Sequence, residues 1–148
     1  MKLSTRARYG TRALLDIASN GTGGPVLLRD IAQRQEISPL YLERVISPLI
    51  AAGVVRSTRG AHGGIRLARL PSEIKLNEVV RILEGSLAPV DCVDDPKVCR
   101  RSGFCVTRDV WGEVKQAMDG VLTAITLADL MERQKKKEPP SGTTMYHI

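Results

Sequence analysis

Residues 28–53 read LRDIAQRQEISPLYLERVISPLIAAG, and this stretch predicts two helices joined by a short turn. The first helix has Leu28 and Ile31 on one apolar face, at the three- and four-residue steps of an α-helix. Ser38 is a good N-cap residue. Pro39 follows it at the first helical position, where the missing N–H of proline breaks no hydrogen bond. The second helix is therefore predicted to begin at Ser38.

This second helix keeps an apolar face along its length although Pro48 lies within it. A proline in a helix interior removes one backbone hydrogen bond, but the apolar spacing continues beyond Pro48, so we expect a bend and not a break. Gly53 is placed to end the helix as a left-handed cap. Two helices in this arrangement are typical of a helix-turn-helix, whose second helix enters the major groove of DNA.

A glycine-rich β-hairpin is predicted directly after this helix. Residues 54–58 (VVRST) and 64–68 (GIRLA) alternate apolar with polar or cationic residues, and the segment RGAHGG connects them. The glycines allow the tip to approach a DNA backbone closely, and Arg59 supplies a charge suited to phosphate or to a minor groove. A plain structural lid is the alternative. After a helix-turn-helix, the hairpin indicates the wing of a winged helix.

Charge is distributed unevenly along the chain. The 148 residues carry a net charge of +6, but residues 1–70 hold 11 Lys or Arg against 4 Asp or Glu, whereas residues 71–148 hold 11 against 12. A basic amino-terminal half favours a partner with a dense negative surface, above all nucleic acid, because neutralised phosphates release counterions. A basic face that only keeps the protein soluble is the alternative that charge alone leaves open.

Three more helices are predicted beyond the hairpin. One ends at Gly85. A second begins at Val106 and has apolar residues at helical spacing over about twenty residues, a length of about 30 Å that a winged-helix core alone cannot bury. We expect the same helix of a twofold-related subunit to cover it, giving a homodimer suited to a palindromic site. Thr126 with Asp129 predicts a capping box that opens a short last helix.

All three cysteines lie in residues 91–105, DCVDDPKVCRRSGFC. The chain has no membrane-spanning run and no signal peptide, so we expect a cytoplasmic protein, where an odd number of thiols does not form a disulfide framework. Thiolates bind iron–sulfur clusters, zinc or copper(I), and the spacing C-x6-C-x5-C allows a flexible loop to surround one centre. We therefore predict metal or cluster ligation by Cys92, Cys99 and Cys105. Incidental thiols are the alternative.

No enzymatic motif accompanies these cysteines. The sequence lacks a C-x-x-C pair, a phosphate-binding glycine loop and an evident cysteine–histidine pair. We therefore predict that the chain is not an enzyme. A redox protein or enzyme that uses the cysteine loop remains the alternative from another functional class.

Several of these motifs, in this order, resemble the IscR-type regulators, which are iron–sulfur-sensing winged-helix repressors related to the nitric oxide sensor NsrR and the cysteine-metabolism regulator CymR. The resemblance is carried by MKLSTRARYGTRALLDIA, ISPLYLERVISPL, RGAHGG and the CVTRDVW that follows the cysteines, and it runs from Met1 to about Gln134. It implies a mainly α fold with a small β-hairpin and a long C-terminal dimerisation helix. The predicted parts are a winged helix-turn-helix (1–85), a cluster-binding loop (86–105) and a dimerisation helix with a short terminal helix (106–133), and the polar composition beyond the resemblance predicts a flexible tail (134–148).

By position, the resemblance also implies which residues contact DNA. Glu43 is chemically suited to accept a hydrogen bond from cytosine N4, and Arg44 or Arg59 to reach phosphate or guanine. Tyr41 suits the core equally well. The full implied set is Ser38, Leu40, Tyr41, Glu43, Arg44, Arg59, Gly60, Gly63 and Gly64.

The resemblance narrows the metal prediction to an iron–sulfur cluster, with 2Fe-2S preferred to 4Fe-4S and zinc as the alternative on chemistry alone. IscR-type proteins commonly use a histidine three residues after the last cysteine as the fourth ligand, but Arg108 stands there. An NsrR-type acidic ligand would fall at Arg8, and neither arginine can bind iron. The fourth ligand stays open among Asp91, Asp94, Asp95 and a residue of a second subunit.

The predicted function is that of a homodimeric, DNA-binding repressor that senses iron–sulfur cluster status. Cluster occupancy would order the loop at 92–105 beside the dimer helix and shift the two recognition helices. Such a protein would control iron–sulfur cluster biogenesis or related genes. An alternative keeps the DNA binding and makes the cysteines a thiol-redox switch or a zinc site.

Overall fold

The computed structural model describes residues 2–139, which fold mainly into α-helices with one two-stranded antiparallel hairpin. The predicted fold class is confirmed. Short 3-10 turns lie at Pro71–Glu73, Pro96–Val98 and Ser102–Phe104. The elements are α1 (Thr5–Asn20), α2 (Leu28–Gln35), α3 (Pro39–Ala51), β1 (Val55–Thr58), β2 (Gly64–Leu67), α4 (Leu76–Glu84), α5 (Asp91–Asp94), α6 (Val106–Thr123) and α7 (Leu127–Lys137).

The helix-turn-helix is formed by α2 and α3 as the cap residues predict. Ser38 is the N-cap of α3, its Oγ accepts the backbone N–H of Tyr41 at 3.2 Å, and Pro39 is the first helical residue. The helix continues without a break through Pro48. Gly53, with a φ of 71°, follows the last turn in the left-handed conformation that the sequence predicts.

The core lies where α1 crosses α3 and α4. Helix α1 buries one face of its length, including Gly10 and Leu14. A Cβ atom at Gly10 would lie 2.3 Å from Leu83 Cδ1 and 3.0 Å from Val45 Cγ1. Glycine at this position therefore allows the helices to pack this closely.

A buried ion pair fixes α2 against α1. The Asp16 carboxylate is buried and accepts hydrogen bonds from Arg34 Nη2 at 2.6 Å, Arg34 Nε at 3.0 Å and Gln35 Nε2 at 2.8 Å. The hydrogen bond to Asp16 raises the pKa of the Arg34 guanidinium. Arg12 Nη2 also donates to the Gln35 carbonyl at 2.6 Å. These bonds set the position at which the chain leaves α2 and turns into α3.

The hairpin is anchored to the body at its base and exposed at its tip. Val55 lies opposite Leu67, and the strands pair as far as Thr58 opposite Gly64. The backbone of Ile65 also exchanges hydrogen bonds of 2.8 and 2.7 Å with Val26, which precedes α2. The wing is therefore held in a fixed position relative to the helix-turn-helix.

The C-terminal elements leave the winged helix and then return to it. Helix α6 contacts α4 and α5, and none of its residues is fully buried. Thr126 and Asp129 form the predicted capping box of α7, and Leu127 is fully buried in the core. The Leu127 N–H donates to the Ile74 carbonyl at 2.8 Å. The chain after α6 is thus attached to the segment that precedes α4.

Two segments differ from their expected conformation. The cysteine segment contains α5 and two 3-10 turns, which are too short to show a periodicity in the sequence. Helix α7 extends to Lys137, so residues 134–137, expected at the start of the tail, are helical. Lysines are good helix formers and interact favourably with the C-terminal end of the helix dipole. Residues 140–148 of the predicted tail lie outside the described residues.

Within residues 2–139, no helix combines the length and the apolar character needed to cross a bilayer.

Candidate nucleic-acid interface and metal centre

The first turns of α3 present a mixed apolar and charged face to solvent. Ser38, Glu43 and Arg44 are exposed, and the side chain of Leu40 is 64% exposed although it is a large hydrophobe. The side chains of Leu42 and Val45 point into the core instead. The structure therefore brings four of the predicted contact residues to one accessible surface, the α3 face.

Tyr41 contributes to both the core and the surface. Its side chain is half-buried and packs against the core, and its ring meets the ring of Tyr9 edge-on, with centroids 6.0 Å apart. The guanidinium groups of Arg8 and Arg12 lie 5.9 and 5.4 Å from the centroid of Tyr9. This arrangement brings basic charge of α1 close to α3. Residue spacing does not predict this packing of Tyr9 against Tyr41. The sequence signal for it is the tyrosine placed among arginines in RARYGTR.

The wing tip is exposed and depends on its glycines. Arg59 and Gly60 are exposed, and Gly60 has a φ of 105°. A Cβ atom at Gly63 would lie 2.4 Å from the Thr58 carbonyl oxygen. A Cβ atom at Gly64 would lie 2.7 Å from the Val26 carbonyl oxygen. The last two glycines are therefore required by the hairpin itself, independently of any contact with DNA.

The three cysteines lie within or directly after three consecutive short helical turns. Cys92 is in α5, Cys99 follows a 3-10 turn, and Cys105 is the N-cap of α6. All three are half-buried free thiols. The Sγ atom of Cys105 lies 3.2 Å from the hydroxyl of Thr107. This hydrogen bond, together with the backbone N–H of Arg108, lowers the pKa of the Cys105 thiol.

Two side chains of α6 attach the cysteine segment to that helix. Arg108 Nε donates to the backbone carbonyl of Cys92 at 2.7 Å, across sixteen positions of sequence. Lys115 Nζ donates to Asp94 at 2.6 Å, and Asp94 also accepts the hydroxyl of Ser86. Lys115 first, and then Ser86, lowers the pKa of the Asp94 carboxyl. IscR-type proteins commonly have a histidine ligand at the position of Arg108. In this chain Arg108 instead holds the backbone of the cysteine segment.

Helix α6 is also joined to the winged helix by an ion pair. Arg81 Nη2 of α4 lies 3.0 Å from Asp119 Oδ2 of α6. Helix α4 packs on both α1 and α3. A continuous series of contacts thus connects the cysteine segment, α6, α4 and the α3 face.

The donor chemistry of the cysteine segment suits a soft metal centre, but the ligands are not assembled. Within residues 2–139, no three His, Cys, Asp or Glu side chains lie close enough to hold one metal ion. Asp94 is engaged by Lys115, and Asp95 Oδ1 accepts the backbone N–H of Lys97 at 3.0 Å. Binding a cluster would therefore require the three short elements to move together and a fourth ligand to be recruited.

One side of α6 and the segment before it carries exposed hydrophobic side chains. Val106 is 75% exposed and Phe104 is 72% exposed, and Val110, Trp111 and Val121 are also exposed. Apolar groups in this number along a helix favour burial against another surface.

Comparison with known proteins gives matches along nearly the whole chain. A family model described as "Rrf2: Iron-dependent Transcriptional regulator" matches residues 3–133. The protein named rrf2 of Nitratidesulfovibrio vulgaris is 52% identical over 131 residues, which cover 88% of this chain and 87% of that protein. The HTH-type transcriptional regulator CymR of Bacillus subtilis is 38% identical over 130 residues, covering 88% and 89% of the two chains. The solved structure of T. potens IscR superposes with a TM-score of 0.79 and 42% identity, covering 96% of this chain and 94% of that one.

Proposed function

The chain belongs to the Rrf2 family of transcriptional regulators, and from that premise we propose that it regulates transcription in response to the state of Cys92, Cys99 and Cys105. The resemblance to IscR-type regulators is confirmed by IscR and CymR relatives. The family consists of DNA-binding regulators and not of enzymes, as the sequence predicts.

The proposed DNA reader consists of the α3 face and the wing. Ser38, Leu40, Glu43 and Arg44 are exposed on the first turns of the second helix of a helix-turn-helix, the part that enters the major groove in this type of domain. Tyr41 supports this face from below. Arg59 and Gly60 at the wing tip would meet the DNA backbone, whereas Gly63 and Gly64 shape the hairpin that carries them.

The proposed sensor is an iron–sulfur cluster bound by the three cysteines, with 2Fe-2S preferred to 4Fe-4S. The observation that carries this proposal is that all three thiols are free and half-buried on one segment that Arg108 and Lys115 attach to α6. A bound cluster would supply iron–thiolate bonds that form or are lost with iron supply and oxidation. This chain's own residues would hold the backbone of Cys92 and orient α6 relative to the α3 face.

We further propose that a cytoplasmic homodimer forms through α6 and represses genes of iron–sulfur cluster biogenesis or related functions. The exposed hydrophobic side of α6 supports the dimer, because a second copy would bury it. Two copies related by a twofold axis would present two α3 faces, which fits a palindromic operator.

A second candidate sensor is the thiol itself. It is favoured by the lowered pKa of Cys105, because thiolates react with oxidants faster than thiols, and by the similarity to CymR. A zinc site on the same cysteines would use the same donors.

Anaerobic purification followed by visible absorption and by iron, sulfide and zinc analysis tests these sensors. The cluster predicts a coloured protein that loses colour and iron when Cys92, Cys99 or Cys105 is changed to Ala. Val98→Ala is the matched control, because its side chain lies in the same segment, is 59% exposed and has no ligand atom. Protein that contains no iron and cannot be reconstituted would refute the cluster, and stoichiometric zinc would identify the alternative metal.

A further inference from the structure

The exposed leucine of the α3 face has a defined chemical counterpart in DNA. Leu40 is 64% exposed in the first turn of α3, and a single exposed leucine is ordinary on a protein surface. Its position is what distinguishes it, because the first turn of this helix is the part that enters the major groove. The only apolar group that the four base pairs present in that groove is the 5-methyl group of thymine.

The capped start of α3 fixes where Leu40 points. Ser38 accepts the backbone N–H of Tyr41, and Pro39 restricts the backbone directly before Leu40. Glu43 follows Leu40 by three residues and is also exposed, so the two side chains share one side of the helix. A carboxylate on this side can accept a hydrogen bond from the N4 amino group of cytosine.

Resting on the proposed DNA-reading function, we infer that Leu40 is a specificity-determining residue that contacts a thymine methyl group beside the cytosine read by Glu43. Three residues of helix span about 4.5 Å along the axis, which is close to the spacing of about 3.4 Å between neighbouring bases. The thymine therefore lies within one or two base pairs of the cytosine. Leu40 supplies the preference for thymine, and Glu43 supplies the preference for cytosine.

The test begins with selection of binding sites by the full chain from a library of randomised 30-base-pair duplexes. Each thymine of the enriched site is then replaced singly by deoxyuridine, which removes only the methyl group. Affinity is measured for the wild-type chain, Leu40→Ala and Leu70→Ala. Leu70 is the matched control, because it is 65% exposed and lies outside α3 and the wing.

We expect at least one thymine whose replacement weakens binding of the wild-type chain about fourfold, the effect of losing one buried methyl-sized group. Leu70→Ala should show the same loss, and Leu40→Ala should not distinguish thymine from deoxyuridine at that position. On enriched DNA, any other pattern overturns the role of Leu40. If the library yields no enriched sequence at all, the proposed DNA-reading function itself fails, so the two failures are distinguishable.

Discussion

Replacing Arg34 with alanine should destabilise the protein more than replacing Asp16, although both changes remove the same ion pair. The asymmetry follows from burial, because the side chain of Asp16 is 2% exposed and that of Arg34 is 40% exposed. In Asp16→Ala the guanidinium already reaches solvent and can be hydrated. In Arg34→Ala the carboxylate stays beneath the surface, and the side-chain amides of Gln35 and Asn20 are its remaining donors within residues 2–139.

The loss in free energy of unfolding can be estimated for each variant from the exposure of the charge that remains. Loss of a charge-assisted hydrogen bond whose remaining partner is hydrated costs about 1.5 to 3 kcal/mol, which is the value expected for Asp16→Ala. Leaving a buried charge without its partner costs about 3 to 5 kcal/mol. We expect about 4 kcal/mol for Arg34→Ala, below the top of this range because removing the arginine side chain also admits some water to the carboxylate.

Urea denaturation followed by far-UV circular dichroism measures both free energies of unfolding. Arg29→Ala is the control on the same helix. The Arg29 side chain is 80% exposed and its pair with Asp30 spans 3.5 Å, so the change should cost less than about 0.5 kcal/mol. The double variant Asp16→Ala, Arg34→Ala should be no less stable than Arg34→Ala alone. Equal losses in the single variants, or a larger loss in Asp16→Ala, would refute this reasoning.

Three further results are expected. Gly10→Ala should lower the free energy of unfolding by up to about 2 kcal/mol in the same assay, because overlap of its Cβ atom with Leu83 Cδ1 costs about 1 to 3 kcal/mol and the higher helix propensity of alanine returns about 1 kcal/mol. Gly23→Ala, with open space at its Cβ position, should have little effect. Arg108→Ala should increase the rate at which iodoacetamide alkylates Cys92 in the metal-free protein, as followed by mass spectrometry, since it removes the 2.7 Å bond to the Cys92 carbonyl. An unchanged rate would show that this bond does not restrain the segment. Asp129→Asn should destabilise the protein at pH 7, and in urea denaturation this loss should shrink steadily as the pH falls below about 3.9. The backbone N–H of Thr126 lowers the pKa of Asp129, so the contribution of the carboxylate is present above the unfolded pKa of about 3.9 and is lost as pH falls through the folded value.

The local parts of this fold could be predicted because single residues determine them. Ser38 and Pro39 mark the start of α3, Gly53 marks its end, and the alternation of VVRST and GIRLA predicts the hairpin. These signals act over a few residues, so they do not depend on how the rest of the chain packs.

The contacts between distant segments could not be predicted from spacing. Asp16 and Arg34 are eighteen positions apart, and Arg108 reaches a carbonyl sixteen positions before it. Such contacts depend on the angles at which helices pack, which the sequence pattern does not specify. For the candidate site, the accessible residues of α3 follow from helical periodicity, whereas the attachment of the cysteine segment to α6 depends on these long-range bonds.

The return of the chain after α6 restrains the C-terminal end of this helix against the winged helix. Its first turns hold Cys92 through Arg108, and the residues beyond its last turn are joined to the winged helix by backbone hydrogen bonds from Leu127 to Ile74 and from Leu76 to Ile125. Any tilt that begins at the cysteines must also displace α4 or the chain around Ile74, and both are parts of the domain that carries α3. A displacement of this kind would therefore reach α3 through packed helices and hydrogen bonds, with no flexible linker between them.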